Sequence, residues 1–150
     1  MSRETVIDAT NLVLGRMASI VAKRLLNGER IVIVNAEKAV ISGEPRMVIE
    51  SYKILFNVGT LRNPYRHGSR RPRTPERIGR LAIRGMLPME KRRGRDAYRR
   101  LRVYCGIPPE YRNRPLQSIK EASALKLSRT YVKVGDVALQ MGWKPKVVWK

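Results

Sequence analysis

The chain has 150 residues, with 32 Lys plus Arg against 12 Asp plus Glu, a formal net charge of +20 and 43% hydrophobic residues. Its length suits one domain able to bury roughly 70% of its unfolded surface without a staple, and its single cysteine, Cys105, excludes an intrachain disulfide and a multi-cysteine zinc site. The longest apolar run, Ile31–Val34, is far too short to cross a bilayer, and Met1-Ser2-Arg3-Glu4-Thr5 opens no secretory signal, so a reduced, cytoplasmic protein is expected.

Residues 5–9 predict a short buried strand. Residues 15–27 predict a helix, with Met17, Ile20, Val21, Leu25 and Leu26 on one stripe and Asn27-Gly28 as its stop. Residues 31–35 are β-branched and apolar on both faces, as an interior strand of a parallel sheet requires. Strand, helix and strand form a right-handed βαβ unit. Ala39-Val40-Ile41 adds a short strand or turn. Ser42-Gly43-Glu44-Pro45 starts a second helix, with Val48, Tyr52, Leu55 and Phe56 on one face.

From Gly59 to Arg73 the apolar period disappears and Gly59, Pro64, Gly68 and Pro72 punctuate a basic extension, expected to be mobile without a partner. Thr74-Pro75-Glu76 is a helix start, with Ile78, Leu81 and Ala82 facing inward. Arg84-Gly85-Met86-Leu87-Pro88 ends it. A very basic helix is predicted from about Glu90 to Leu101, then a strand from Arg102 to Cys105. Beyond Pro109, a helix is expected over Ser118–Leu127 and a short one over Val134–Met141, with Gly142 as its stop and Trp143 packing back. The C-terminal extension runs over about residues 115–150 of the same domain.

Charge is unevenly placed. Residues 1–56 carry 8 basic and 6 acidic side chains, residues 57–114 carry 17 and 4, and residues 115–150 carry 7 and 2. Of the 17 basic residues in the middle segment, all but Lys91 are Arg. Arg presents a flat fork that grips two phosphate oxygens and stacks on bases. A thermophile's solvated surface would balance such charge with Glu, so the excess points to a nucleic-acid partner. The candidate contact residues are Arg62, Arg66, His67, Arg70, Arg71, Arg73, Arg77, Arg84, Gly85, Lys91, Arg92, Arg93, Arg95, Arg99 and Arg100. Tyr98 and Tyr104 are read as core rather than as stacking platforms.

Signs of enzymatic chemistry are weak. No Gly-x-Gly-x-x-Gly or Gly-x-x-x-x-Gly-Lys follows a strand. Asp8 and Asn35 end the first two strands, where α/β sheets bind ligands, but the preferred reading is that they satisfy turn backbone groups. His67, the only histidine, has Arg66 and Gly68 beside it and no carboxylate to orient it. Cys105 lacks a local base and is expected as a buried thiol within an apolar strand. No catalytic residue, metal site, cofactor, small-molecule substrate or membrane contact is expected. Zinc-finger, zipper and RRM signatures are missing, which leaves an α/β body with Arg-rich projections suited to folded RNA. A DNA-compacting protein and a nucleotide-dependent RNA enzyme remain the competing classes.

Several motifs carry a resemblance. Asp8-Ala9 with Leu14-Gly15-Arg16-Met17-Ala18-Ser19, then Val34-Asn35-Ala36-Glu37, resembles the start of the universal large-subunit ribosomal protein L-thirteen family. Arg73-Thr74-Pro75, Ala82-Ile83-Arg84-Gly85-Met86-Leu87-Pro88 and Arg93-Gly94-Arg95 through Leu101–Pro108 continue it, and the Arg84–Pro88 motif is its most specific piece. Thr130-Tyr131-Val132 and Gly142-Trp143-Lys144 resemble the archaeal and eukaryotic branch, and the stop at Lys150 suggests the archaeal type. The resemblance implies an α/β fold, three-layer α/β/α around a mainly parallel four-stranded sheet. It further implies a structural role in the large ribosomal subunit, with large-subunit rRNA and neighbouring ribosomal proteins as partners. It implies that Arg84 and Gly85 sit at the rRNA surface and that Arg92, Arg93, Arg95 and Arg99 line the adjoining basic helix. The Arg62–Arg73 segment rests on charge and Gly/Pro content alone.

Overall fold

A computed structural model describes residues 4–59, 61–63 and 71–145. Four strands form the central sheet in the order β4-β2-β1-β5, with every pairing parallel. They are β1 (Glu4–Asp8), β2 (Arg30–Val34), β4 (Leu101–Val103) and β5 (Leu116–Gln117). Helix α1 (Leu14–Leu26) crosses from β1 to β2 and completes the expected βαβ unit. The interior position of β2 explains why both of its faces are apolar.

The two faces of the sheet are covered differently. Ile7, Ile31, Ile33, Leu101 and Val103 face Met17, Val21 and Leu25 of α1, Ile78 and Ile83 of α3 (Pro75–Gly85) and Ala97 of α4 (Arg92–Arg99). On the opposite face Val6, Val32 and Val34 pack against Tyr111, with Tyr104 and Ile107. That second layer is thin, a single 3-10 turn over Pro109–Tyr111 and its approach. The arrangement is consistent with the expected three-layer α/β/α class.

Several expectations shift in detail. Val40–Ser42 is indeed a strand, β3, but it pairs antiparallel with β6 (Tyr131–Lys133) in a separate two-stranded sheet. Helix α2 (Pro45–Asn57) buries no residue fully, and Leu55, expected inward, is exposed. In α3 the inward position belongs to Ile83, not Leu81, which is 45% exposed. Ile78 and Gly79 are buried with it, so the buried stripe runs through 78, 79 and 83, its centre about 150° from Leu81. Helix α4 is shorter than expected, because Leu101 already belongs to β4.

Ser118–Leu127 is not an α-helix. It forms two 3-10 turns, Lys120–Ala122 and Ala124–Lys126. The reason is backbone competition: Ala122 O accepts from Val13 N at 2.7 Å and Ala124 N donates to Asn11 O at 2.8 Å. Those groups would have to bond within the segment to make an α-helix. The last helix, α5 (Val134–Gln140), ends as expected at Gly142 with φ +91°, and Trp143 N donates back to Ala138 O at 2.9 Å. No helix among the described residues is long and apolar enough to cross a membrane.

Asp8 and Asn35 close the β1 and β2 ends on each other. Asp8 Oδ1 accepts from Asn35 Nδ2 (3.0 Å), Thr10 N (3.0 Å) and Thr10 Oγ1 (2.7 Å). Burial alone would raise this carboxyl, but the bonds from Asn35 and Thr10, with the charge of Lys38, outweigh it and hold it below its ordinary value. A carboxylate oxygen so occupied fits a turn-closing role, as one of the two sequence readings held.

Candidate nucleic-acid interface

Helices α3 and α4 carry the basic surface, and each is fixed from beneath. Thr74 caps α3 by accepting from Arg77 N at 3.4 Å, with Pro75 in the first turn. Helix α4 is tied to the end of α1 by one of its own cations and by the one that follows its last residue. Arg93 donates to Leu26 O at 3.2 Å and Arg100 to Leu25 O at 2.8 Å, satisfying carbonyls at the negative end of α1. The turn between α3 and α4 is closed by Gly94, which lies against the Pro88 carbonyl so closely that a Cβ there would sit 2.0 Å from its oxygen.

With their apolar residues held inward, the two helices present cations outward. Arg77 and Arg84 are exposed on α3, and Arg92, Arg95 and Arg99 fall at i, i+3 and i+7 on α4. Among the described residues the side chains of Arg77, Arg84, Lys91 and Arg95 make no hydrogen bond or ion pair. Asp96 is shared between Arg92 (3.7 Å) and Arg99 (3.6 Å) in exposed pairs of little net strength. Two nearby carboxylates are turned away: Glu76 accepts from Cys105 N at 3.3 Å and Glu37 from Gly106 N at 3.0 Å. Asp96 and Glu90, the latter beside Lys91 in the lining of the groove there, are the carboxylates left on the face, against a larger number of arginines.

Two open grooves meet along α3. One, about 300 Å³, is lined by Arg71, Pro72, Arg77, Arg80, Leu81, Arg84 and Tyr98. The other, about 530 Å³, is lined by Arg84, Gly85, Pro88 and Lys91 among others. Arg84 and Leu81 belong to both. Arg80 was not among the candidates, yet its guanidinium lies 4.8 Å over the Tyr98 ring. The spacing 77, 80, 84 on one helix was the signal available in the sequence. Tyr98 is half-buried, partly core as expected and partly the floor beneath that guanidinium.

The other candidates are distributed as follows. Arg71 is half-buried with an unpartnered Nε. Arg73 lies 4.9 Å over the Phe56 ring and reaches Met141 O at 3.5 Å, so it anchors the end of the extension to α2 and α5. Arg62 is exposed. Arg66, His67 and Arg70, and with them most of the Gly59–Arg73 extension expected to be mobile, lie outside the described residues.

Cys105 is not inside a strand, since β4 ends at Val103; it lies half-buried in the turn that follows. Burial and the charges of Glu76 and Glu37 push its thiol up to about 12. The thiol is thus protonated near neutrality, and its alkylation by iodoacetamide at pH 7.5 should run about tenfold or more slower than that of an unperturbed cysteine. Labelling at the free-thiol rate in the folded protein would contradict this placement. No group of three His, Cys, Asp or Glu able to hold a metal occurs among the described residues.

The model of the family described as ribosomal protein L13 matches residues 2–110, which include both basic helices. The chain belongs to the ribosomal protein L13 family. It is 50% identical over 145 residues to the large ribosomal subunit protein uL13 of Aeropyrum pernix, covering 95% of this chain and 92% of that one. The protein of the same name from Archaeoglobus fulgidus is 50% identical over 143 residues, 93% of this chain and 88% of the other. That of Saccharolobus solfataricus is 46% identical over 138 residues, 92% of each. These similarities extend beyond residue 110, into the C-terminal part that the L13 model does not reach.

Within this L13 chain, Gly85 separates two explanations. It is the last residue of α3, and an added Cβ would meet nothing within 4 Å. Gly85→Ala should therefore leave the fold as stable or stabilise it by up to about 1 kcal/mol. If the backbone there approaches RNA closely, the same change should weaken rRNA binding about tenfold. Thermal melts and filter binding on one preparation check both, and unchanged affinity would reduce Gly85 to a helix end.

Proposed function

We propose that this L13-family chain is a non-enzymatic structural constituent of the cytoplasmic large ribosomal subunit. It acts as one domain that holds large-subunit rRNA through the α3–α4 face and lies among neighbouring large-subunit proteins. One observation carries the reading: the side chains of Arg77, Arg84, Lys91 and Arg95 stand exposed and, among the described residues, unpaired on two helices and the turn between them, with the apolar sides of both helices fixed in the core. Such an array neutralises phosphates converging from more than one direction, as the junctions of a folded RNA supply. Arg62, Arg66, Arg70 and Arg71 join it from the extension by charge, with His67 among them, and Arg92, Arg93 and Arg99 flank Arg95 on α4. Arg73, Arg93 and Arg100 each have an internal contact as well.

The test is sedimentation of a cell lysate at low and moderate salt, with the chain followed by antibody. Co-sedimentation with large subunits that survives moderate salt supports the reading. A chain remaining at the top of the gradient overturns it. Comparable affinity of the purified protein for plain duplex DNA and for large-subunit rRNA would favour a DNA-compacting protein instead.

A further inference from the structure

The face of the sheet away from α1, α3 and α4 is thinly covered, and its chemistry differs from that of the helical face. Strand alternation places Arg30 of β2 and Arg102 of β4 there, on the same side as Val32 and Val34. They line an open groove of about 570 Å³ together with Arg99, Tyr104, Glu4 and Glu110, a size in the ordinary range for small-ligand sites. Arg30 and Arg102 are exposed, and Arg30 has no partner among the described residues. Tyr104 is half-buried beside Tyr111, with ring centroids 6.0 Å apart. Arg114 lies 5.2 Å over the Tyr111 ring and pairs with Glu4.

We propose that this groove takes one unpaired RNA nucleotide, with its base against Tyr104 and its phosphate between Arg30 and Arg102. This rests on the chain being an RNA-binding protein and adds a second contact surface to it. The chemistry distinguishes a splayed nucleotide from a duplex backbone. A duplex meets such a surface mainly through its backbone phosphates, which the Glu4 and Glu110 carboxylates would repel. Glu4 is neutralised by Arg114, but Glu110 has no salt-bridge partner within the described residues. A carboxylate beside cations is suited to a base edge, whose N–H groups donate to it. An aromatic ring on a sheet face with flanking arginines is the general arrangement by which proteins stack single-stranded bases. On the helical face the Tyr98 ring is already covered by the Arg80 guanidinium, and the sheet face lacks the uninterrupted positive charge, so the two surfaces select different RNA features.

The test uses the full chain, a fluorescent unstructured mixed-sequence hexaribonucleotide and purified large-subunit rRNA. Replacing both Arg30→Ala and Arg102→Ala should weaken hexanucleotide binding about tenfold. Tyr104→Phe keeps a stacking ring and should stay within about threefold of the parent, whereas Tyr104→Ala should lose roughly tenfold. The triple change Arg77→Ala, Arg84→Ala, Arg95→Ala should leave the hexanucleotide affinity within about threefold while reducing the affinity for whole rRNA. Arg30 and Arg102 are exposed strand positions, so the double variant should melt within a few degrees of the parent, and this keeps the result interpretable should Tyr104→Ala fail to fold. Unchanged hexanucleotide binding in the double variant overturns the proposal, as does an equal loss in the triple variant. A face that instead docks protein would give no hexanucleotide affinity dependent on Arg30 and Arg102. Failure of the rRNA-binding reading shows separately, as whole-rRNA affinity indifferent to the triple change.

Discussion

Gly94→Ala should lower the melting temperature by about 6 °C or more, the largest stability change expected of any glycine-to-alanine replacement among the described residues. The new Cβ would lie 2.0 Å from the Pro88 carbonyl oxygen and 2.5 Å from its carbon. Both are backbone atoms, so no side chain can rotate out of the way. Pro88 is the turn between α3 and α4, and Lys91 N donates to that same oxygen at 3.1 Å. Relief therefore requires α4 to lift from the turn, which also pulls Arg93 and Arg100 from the end of α1. Overpacking of this kind costs about 3 kcal/mol or more, and the gain in helix propensity, about 1 kcal/mol, does not offset it. A calorimetric melt checks it; a melting temperature within about 2 °C of the parent would show that the close approach is not maintained in solution.

Replacing Arg77, Arg84 and Arg95 together by Ala should weaken binding to large-subunit rRNA on the order of a hundredfold near 0.1 M salt. The plot of log affinity against log salt should flatten by about 2 to 3 units, since each lost phosphate contact removes roughly 0.9. All three guanidinium groups are exposed and make no bond within the described protein, so removing them leaves no buried group unsatisfied and the melt should barely change. The matched control is Arg16→Ala, Lys23→Ala, Lys53→Ala, which removes the same charge from exposed positions on α1 and α2. If both triples weaken binding equally, net charge alone governs association and the α3–α4 face has no special standing.

Much of the fold could be read from residue pattern because the relevant signals are local. The apolar run Ile31–Val34, the stripe on α1 and the Thr74-Pro75 start of α3 each place their element within a residue or two. The misreadings occur where long-range bonding decides. Ser118–Leu127 has helical composition, but its backbone is taken by Asn11 and Val13, over a hundred residues earlier. Leu81 carries an inward residue type on a helix whose stripe is set by where β4 and α1 lie. At the candidate interface, composition located the arginines without separating their tasks. Nothing in the local sequence tells that Arg93 and Arg100 reach carbonyls of α1, whereas Arg95 between them does not. The sheet-face groove is less legible still, because Arg30 and Arg102 become neighbours only through the parallel pairing of β2 with β4.

The two arginine bonds from α4 to the end of α1 have a consequence for the order of events in assembly. A segment as positive as residues 57–114 would tend to spread apart before its counterion arrives. Here part of that positive charge rests on the negative terminus of a helix that belongs to the core. The α4 array can therefore hold its spacing in the free protein, and the conformational entropy lost on association falls mainly on the RNA. A protein of this design is a template for RNA folding: phosphates that happen to come together in the right arrangement are captured, and incorrect arrangements find no matching array.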